Sequence, residues 1–283
     1  MPVAHRARPS HIAILIPLAL LITACGAPRG FARETIPEKV YKEERRVAVA
    51  RLGTYMDTVH RVLPERVQRS LARIPNVSRR LLAMKYYLHR DEEEINRKWA
   101  WTEEEAREYR KSDEYKQALE EVAGVRQAFA RLNPGYQLQV DIEIRSLSSQ
   151  IGKWNSVRSI GEGADELMKT ALAFIADSLA TPVSENNQGD LARFLAFLHA
   201  FEPKRHPTVA VPGLSQHGQL RAFDFRVSRG GRVIAGASTS SIRTAWDDAG
   251  WTAKLCEAIL AVSPKFEGPL LQPYEPWHYE YRP

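Results

Sequence analysis

The sequence predicts an α+β fold in which helices pack against a small, mainly antiparallel sheet and a helical extension precedes that sheet. Between residues 40 and 87, apolar side chains recur at spacings of three and four among charged residues, which is typical of amphipathic helices. Over residues 138–144, apolar and polar residues alternate, which indicates a strand with one buried face. Two further strand patterns lie on either side of Gly230 and Gly231, and this arrangement predicts a hairpin.

Residues 1–24 have the features of a secretory signal peptide. Two arginines precede an apolar run over residues 12–22, which is shorter than the stretch of about 20 residues needed to span a bilayer. Small residues follow, directly before Cys25 and Gly26, and this end resembles the lipobox of bacterial lipoproteins. The resemblance implies acylation of Cys25 and sorting to the periplasmic side of the outer membrane, anchored by the lipid. An ordinary cleaved signal or a retained anchor helix is the alternative.

Length and charge exclude some functions. The chain has 283 residues and a net charge of +6, and removal of residues 1–24 leaves 259 residues and +4. This length suits one sizeable domain with a helical extension. The positive charge is spread among mixed charges, which suits an anionic envelope polymer or lipid headgroups, whereas nucleic-acid-binding proteins have concentrated basic stripes. We therefore expect no nucleic-acid partner. If Cys25 is acylated, Cys256 has no partner for an intramolecular disulfide.

We expect a polar tether over residues 25–39 and a helical extension over residues 40–110. Acidic runs within the extension could be mistaken for metal-binding or acid–base clusters. Thr102 and Glu105, however, form a capping-box pattern, and acidic residues favour the first turn of a helix. We therefore interpret these runs as helix caps and solvated faces. The extension is a candidate surface for a protein partner.

Residues 111–283 are predicted to form the domain that contains the sheet. Two amphipathic helices within it are interpreted as an insertion over about residues 160–205. The predicted elements in order are a helix after Ser112, a strand over 138–144, helices over 163–180 and 188–202, the hairpin over 221–235, a helical region over 242–262 and a last strand.

Two short motifs near the end of the chain contain metal-ligating residue types. His217 precedes Asp224 by seven positions, at a turn that leads into a strand, and Glu275 precedes His278 by three. Two histidines and one carboxylate form a three-ligand set, and catalytic zinc sites have three protein ligands with water at the fourth position. The chain has no spare cysteines to close a structural site. A single such motif is common, so the hypothesis depends on the coincidence of both.

The two motifs resemble those of the zinc D-alanyl-D-alanine carboxypeptidases, including the vancomycin-resistance type. The first has the pattern Ser-x-His-x-x-x-x-Ala-x-Asp and the second Glu-x-Trp-His, in the order and with the short spacings of that family. Leu220 stands where the family usually has glycine, which predicts a different turn after His217 or a narrower substrate cleft. The matching residues are Ser215, His217, Ala222, Asp224, Glu275, Trp277 and His278.

The resemblance implies a zinc ion held by the two histidines and the aspartate. Glu275, which is not a ligand, is then the general base that takes a proton from water and passes it to the departing amine. Ser215 is expected to hydrogen-bond the substrate backbone. Glu280 lies on the same face as His278 and is a candidate acceptor for an imidazole N–H.

A third similarity to the family concerns the end of the strand over residues 138–144. This strand leads directly into Arg145, with Gln150 shortly after, and in the family an arginine in this context holds the terminal carboxylate of the substrate. A planar guanidinium suits this role because it can form two parallel hydrogen bonds with a carboxylate. The usual Ser-Gly-Tyr before the arginine is Ile-Glu-Ile here. Arg158 is the rival candidate, and a surface salt bridge is the alternative role for Arg145.

The resemblance implies hydrolysis of the terminal D-Ala-D-Ala bond of peptidoglycan stem peptides, by an enzyme tethered through Cys25. One alternative is an endopeptidase that cuts cross-links, for which Arg145 would have no free carboxylate to bind. A second alternative, from another class, is a catalytically silent lipoprotein that uses the same cleft to bind the cell wall.

Overall fold

The computed structural model describes residues 38–178 and 188–282, with side chains over 45–177 and 189–282. The predicted signal peptide, Cys25 and most of the predicted tether lie outside the described residues. No helix within the described ranges is long and apolar enough to cross a membrane.

The described residues form ten α-helices and seven short strands. Two 3-10 turns cover Gln216–Gln219 and Thr239–Ser241, and a π-helical turn covers Ile242–Asp247. The α-helices are α1 (Glu38–Val62), α2 (Glu65–Ala72), α3 (Val77–Leu88), α4 (Glu92–Lys98), α5 (Glu103–Tyr109), α6 (Asp113–Leu132), α7 (Leu147–Ser156), α8 (Arg158–Ser178), α9 (Gln188–Ala200) and α10 (Trp251–Leu260). The strands are β1 (Tyr136–Asp141), β2 (Ala222–Arg229), β3 (Arg232–Ala235), β4 (Phe266–Glu267), β5 (Leu270–Leu271), β6 (Tyr274–Glu275) and β7 (His278–Tyr281).

Five of these strands form one antiparallel sheet, which confirms the predicted α+β class. The strand order is β1-β2-β7-β4, and β3 pairs with the end of β2 as the second strand of a hairpin. The turn of the hairpin contains Gly230 and Gly231, both with positive φ, as the sequence predicted. β5 and β6 form a separate two-stranded sheet. β2 is the central strand, because it pairs with β1, β3 and β7.

One face of the sheet is apolar and packs against α6 and α10. Successive side chains of a strand point to opposite faces, so Asp224 of β2 and His278 of β7 lie on the other face. Burial of the apolar face therefore determines which side of the sheet carries the polar residues. The buried residues of the apolar face include Leu138, Phe223, Phe225, Val227 and Tyr279.

β1 ends at Asp141, and the prediction that the strand continues through residues 142–144 is wrong. Ile142 is 42% exposed, so a longer strand would bury little apolar surface there. The backbone N–H of Arg145 instead donates to the carbonyl oxygen of His217 at 3.0 Å. The segment after β1 therefore connects the sheet to the turn that contains His217.

The remaining large core is helical. Buried residues of α1, α2 and α3 pack with those of α8 and α9 in one hydrophobic cluster. Each of these helices is amphipathic and must bury its apolar face, and in this cluster the other helices cover it. α8 and α9, which the sequence analysis treated as an insertion, complete the core of the N-terminal helices although they follow β1 in the chain.

The helical stretch predicted after Pro64 consists of two helices, α2 and α3, instead of one. Pro75 lies between them, lacks an amide hydrogen and disfavours helical backbone in the preceding residue. The side chain of Asn76 begins α3 by accepting a hydrogen bond from the backbone N–H of Arg79 at 2.9 Å. The break therefore has a local cause in the sequence.

The acidic runs cap helices, as predicted. Oγ1 of Thr102 accepts from the backbone N–H of Glu105 at 3.2 Å, and the Glu105 carboxylate accepts from the backbone N–H of Thr102 at 2.7 Å. Asp91 accepts from the backbone N–H of Glu94 at 2.7 Å at the start of α4. The Ser112 hydroxyl begins α6 in the same way. Helix formation thus accounts for these residues.

Candidate metal centre

The turn over residues 215–221 places His217 beside the sheet. In this turn the backbone N–H of Gly218 donates to the carbonyl oxygen of Ser215 at 2.7 Å. A Cβ atom at Gly218 would lie 2.6 Å from the Cβ of Ala100 and 2.7 Å from Nε2 of Gln150, so this position requires glycine. The turn packs tightly against its neighbours, and His217 is 2% exposed.

Leu220 ends this turn in the left-handed region, with a φ of 55°. It is the one residue other than glycine with positive φ in the described part of the chain. Left-handed backbone costs a residue with a Cβ atom about 1–2 kcal/mol. Its side chain is buried against Ala106 and Tyr115. The turn thus adopts, with a leucine, the conformation for which glycine is usually needed.

Antiparallel pairing brings Asp224 and His278 together, although 54 positions separate them in the chain. The two residues are direct partners between β2 and β7. The backbone N–H of Phe225 donates to the carbonyl oxygen of Trp277 at 3.0 Å, which helps to fix this register. Directly opposed residues share a face, so the two side chains meet on the polar side of the sheet.

Three ligand atoms form a compact triangle on that face. Nε2 of His217 lies 3.3 Å from Nδ1 of His278 and 3.3 Å from Oδ1 of Asp224. Nδ1 of His278 lies 3.0 Å from the same oxygen. All three residues are buried, and within the described ranges they are the only group whose ligand atoms all lie within 4.8 Å of one another.

These separations fit a bound metal ion. In a tetrahedral zinc site with metal–ligand distances of about 2.0–2.1 Å, the ligand atoms stand about 3.3–3.4 Å apart. Two imidazole nitrogens and one carboxylate oxygen suit zinc and other first-row transition metals, whereas calcium and magnesium prefer oxygen ligands. The cluster of His217, Asp224 and His278 could therefore hold a metal ion.

Asp224 interacts electrostatically with both histidines of the cluster and with Arg145. Burial disfavours its ionised form, but hydrogen bonds from His217 and His278 and the charge of Arg145 outweigh burial and hold the Asp224 pKa well below its usual value. Burial also disfavours protonated His278, but its interactions with Asp224 and Glu280 raise its pKa to about 9. Burial lowers the pKa of His217. The raised pKa of His278 favours a protonated imidazole in the absence of metal, and that proton must leave when a metal ion binds.

Arg145 contacts the cluster directly. Its Nη2 donates to Oδ2 of Asp224, the carboxylate oxygen that the histidines do not share. The same nitrogen lies 3.9 Å from Oδ2 of Asp141. Nε2 of Gln150 donates to the carbonyl oxygen of Arg145 at 2.7 Å. The structure thus brings Arg145 to the site, with part of its guanidinium already engaged by Asp224 of the candidate metal centre.

The other predicted substrate-binding residues lie in different surroundings. Arg158, the rival to Arg145, pairs with Glu162 at 2.6 Å on the surface of α8, and its side chain is 85% exposed. Ser215 directly precedes the 3-10 turn that contains His217, is partly exposed, and makes no capping hydrogen bond with its side chain. Ser215 therefore lies near the cluster and Arg158 faces solvent.

Glu275 lies beside the ligand triangle without being part of it. Its Oε2 is 3.9 Å from Nδ1 of His278, and its side chain is 16% exposed. Trp277, which connects it to β7, is buried against Trp246 with ring centroids 6.0 Å apart. Burial raises the pKa of Glu275. A carboxylate close to the ligands but outside their triangle has the position that a general base requires.

Each imidazole has a second ring nitrogen outside the ligand triangle, which is called its outer nitrogen, and the two outer nitrogens differ in their surroundings. Nε2 of His278 lies 4.0 Å from Oε1 of Glu280, which is within ion-pair distance but beyond hydrogen-bonding distance, so the predicted hydrogen bond is not formed in this structure. Nδ1 of His217 is buried and has no hydrogen-bond partner among the residues that the structure describes. Of the two, only His278 has a carboxylate near its outer nitrogen.

Lys153 of α7 is a site residue that the sequence analysis missed. Its ammonium interacts electrostatically with Arg145, Asp224 and Glu275, among others. Partial burial, followed by the Arg145 charge, lowers its pKa, and the nearby carboxylates oppose this change. Helical spacing could have identified Lys153, because it follows Gln150 by three positions and residues at that spacing are neighbours on a helix.

The fold and the site define an α+β protein with a buried candidate metal centre on the polar face of its sheet. Comparisons with models of known protein families, with characterised proteins and with solved structures found no match to this chain. The resemblance to the zinc D-alanyl-D-alanine carboxypeptidases therefore rests on the seven residues of the two motifs and on the sequence context of Arg145.

Proposed function

We propose that the chain is a zinc-dependent peptidase that hydrolyses the terminal bond of peptidoglycan stem peptides ending in D-Ala-D-Ala. The observation that carries the proposal is the buried triangle of His217, Asp224 and His278, with the carboxylate of Glu275 3.9 Å from one ligand atom. Three protein ligands are the pattern of catalytic zinc sites, whereas structural sites usually have four. The coincidence of two motifs in the sequence supports the same function.

The residues of the site divide the chemistry between them. When bound, zinc supplies Lewis-acid polarisation of the scissile carbonyl and acidifies the attacking water. Glu275 accepts the proton of that water and donates it to the departing amine. The reaction consumes one water and releases the terminal amino acid and a shortened peptide with a new carboxylate. Because Glu275 lies outside the ligand triangle, its carboxylate is free for this proton transfer.

Arg145 orients Asp224 in the proposed enzyme. Its hydrogen bond to Oδ2 leaves Oδ1 directed at the two histidine nitrogens. Loss of an outer partner of a metal ligand typically lowers metal affinity or activity by about 10- to 100-fold. The predicted contact between Arg145 and the substrate carboxylate stays a prediction.

The proposed substrate agrees with the location predicted from the N-terminal sequence. A lipid at Cys25 would hold the domain on the periplasmic side of the outer membrane, where peptidoglycan lies. The modest positive charge of the processed chain suits an anionic envelope polymer, and no nucleic-acid partner is proposed. The N-terminal helices remain a candidate surface for a protein partner.

Mass spectrometry of purified stem peptides, incubated with the zinc-loaded protein, tests the proposal. We expect pentapeptides that end in D-Ala-D-Ala to lose the mass of one alanine residue. Cleavage restricted to cross-linked dimers would instead identify an endopeptidase. A protein that purifies without zinc, binds cell wall and cleaves nothing would be a silent binder, and the peptidase proposal would then be wrong.

The substitution Glu275→Gln separates proton transfer from metal binding. We expect it to abolish hydrolysis and to leave the zinc content unchanged, because Glu275 is not a ligand in the proposed site. Glu267→Gln is the matched control, since Glu267 lies on β4 with a side chain that is 53% exposed. Turnover retained by Glu275→Gln would remove this residue from its proposed role.

A further inference from the structure

α7 lies at the edge of the candidate metal centre and is attached to it at two points. Nε2 of Gln150 donates to the carbonyl oxygen of Arg145 at 2.7 Å, and its Oε1 accepts from the backbone N–H of Gly213 at 2.9 Å. Trp154, which follows Gln150 by four positions, is fully buried and anchors the adjoining flank of α7 in the helical core. Lys153 follows Gln150 by three positions and so shares the side of α7 that faces the site.

Lys153 differs from Arg145 in having no fixed partner for its charge. Arg145 donates to Asp224 and lies near Asp141. The Lys153 side chain is partly exposed to solvent and interacts with the site charges at longer range, with no carboxylate of the described residues at ion-pair distance from its ammonium. An accessible ammonium beside a metal centre is suited to bind an anion that enters from solvent.

The geometry of a carboxypeptidase substrate requires a cation at such a place. When the last peptide bond is cut, the terminal carboxylate lies one residue beyond the scissile carbonyl, about 3.5 Å along the chain. The group that binds it must therefore be near the metal ligands and open to solvent. Lys153 lies one helical turn beyond Gln150, whose side chain contacts the Arg145 backbone, and it is partly exposed to solvent. Its flexible four-carbon side chain allows the ammonium to follow the carboxylate.

We infer that Lys153, rather than Arg145, binds the terminal carboxylate of the substrate and makes the site specific for peptides with a free C-terminus. The inference rests on the proposed peptidase function and names its substrate class. Arg145 keeps its place against Asp224, where it positions a metal ligand. A cross-link without a free carboxylate at this place would lack the contact with Lys153, so an exopeptidase is favoured over an endopeptidase.

Two peptides that differ only in a C-terminal carboxylate or carboxamide test this inference with the zinc-loaded full-length protein. Lys153→Met removes the charge and keeps most of the side-chain length. We expect kcat/KM for the free-acid peptide to fall about 10- to 100-fold, mainly through KM, and the rate for the amide to change little. Lys153→Arg should restore much of the preference for the acid. Lys169→Met, at an exposed lysine of α8, is the matched control and should behave as the parent.

A binding measurement makes the test independent of turnover. In zinc-loaded Glu275→Gln protein, calorimetry should show tighter binding of the free-acid peptide than of the amide, and adding Lys153→Met should abolish that difference. If the parent protein cleaves neither peptide but this difference is observed, the peptidase proposal fails and the carboxylate site stands.

Three results would overturn the inference even if hydrolysis is confirmed. The first is an equal loss for acid and amide in Lys153→Met, and the second is no preference for the acid in the parent. The third is a combination of two results: Lys153→Met still prefers the free-acid peptide, and Arg145→Gln no longer does. This outcome would assign binding of the carboxylate to Arg145.

Discussion

Leu220 allows a test of the energetics of the turn that carries His217. It is 3% exposed and has a φ of 55°. Removal of a buried leucine side chain costs about 2–5 kcal/mol, so both Leu220→Ala and Leu220→Gly should be destabilising. In left-handed backbone, alanine keeps a steric penalty of about 1–2 kcal/mol that glycine avoids. The greater freedom of glycine in the unfolded chain offsets about 0.5–1 kcal/mol of that advantage. We therefore expect Leu220→Gly to be more stable than Leu220→Ala by about 0.5–1 kcal/mol.

Leu255 provides the matched control for this comparison. It is fully buried in α10, where the backbone is helical. In a helix interior glycine is about 1 kcal/mol less favourable than alanine, so the order of the two variants should reverse at Leu255. Urea unfolding of chelator-treated protein measures all four variants, and unchanged m values ensure that the midpoints report stability.

If alanine is more stable than glycine at position 220, as it is expected to be at Leu255, the left-handed conformation does not determine the energy of this turn. Since the comparison uses the difference between two variants of the same residue, the uncertain cost of the lost side chain cancels.

Three other predictions concern the site and its supporting helices. Arg145→Gln should weaken zinc binding about 10- to 100-fold without unfolding the protein, because Asp224 loses its donor; competition with a chelator measures this, and an unchanged affinity would contradict it. Zinc affinity should rise with pH up to about 9, because the His278 pKa is raised to about 9 and its proton must leave before the nitrogen binds metal. Calorimetry in buffers of different ionisation enthalpy counts that proton, and a pH-independent affinity would disprove the assignment. Thr102→Ala should destabilise the protein by about 1 kcal/mol through loss of the capping box with Glu105, as measured by the urea midpoint, while zinc content stays the same.

The residues of the candidate metal centre could be predicted because their types and spacings are specific. His217, Asp224 and His278 were selected from two short motifs; pairing of β2 with β7 brings Asp224 and His278 together, and the turn before β2 adds His217. The roles of their neighbours could not be predicted in this way. The hydrogen bond from Arg145 to Asp224 depends on how the segment between β1 and α7 packs against β2, which no local pattern encodes.

The local elements of the fold were also largely predictable. Helix caps such as Thr102 and the hairpin turn at Gly230 and Gly231 follow from short-range hydrogen bonding and allowed φ values. The break between α2 and α3 was missed although Pro75 marks it in the sequence. The end of β1 at Asp141 was missed for another reason, since the alternation continues to residue 144 while the hydrogen bond of Arg145 to His217 redirects the chain.

Periodicity, short-range hydrogen bonds and residue chemistry were sufficient to predict the α+β class, the helix caps and the identity of the three clustered residues. Packing of the chain was needed to show that α8 and α9 share a core with the N-terminal helices. It also showed that Arg145 binds Asp224, while the Lys153 ammonium has no such partner among the described residues. An amphipathic helix specifies that it must bury one face, but not which other helix will cover it. The distance between two charges is set by that choice of partner, so it is known only when the whole chain has packed.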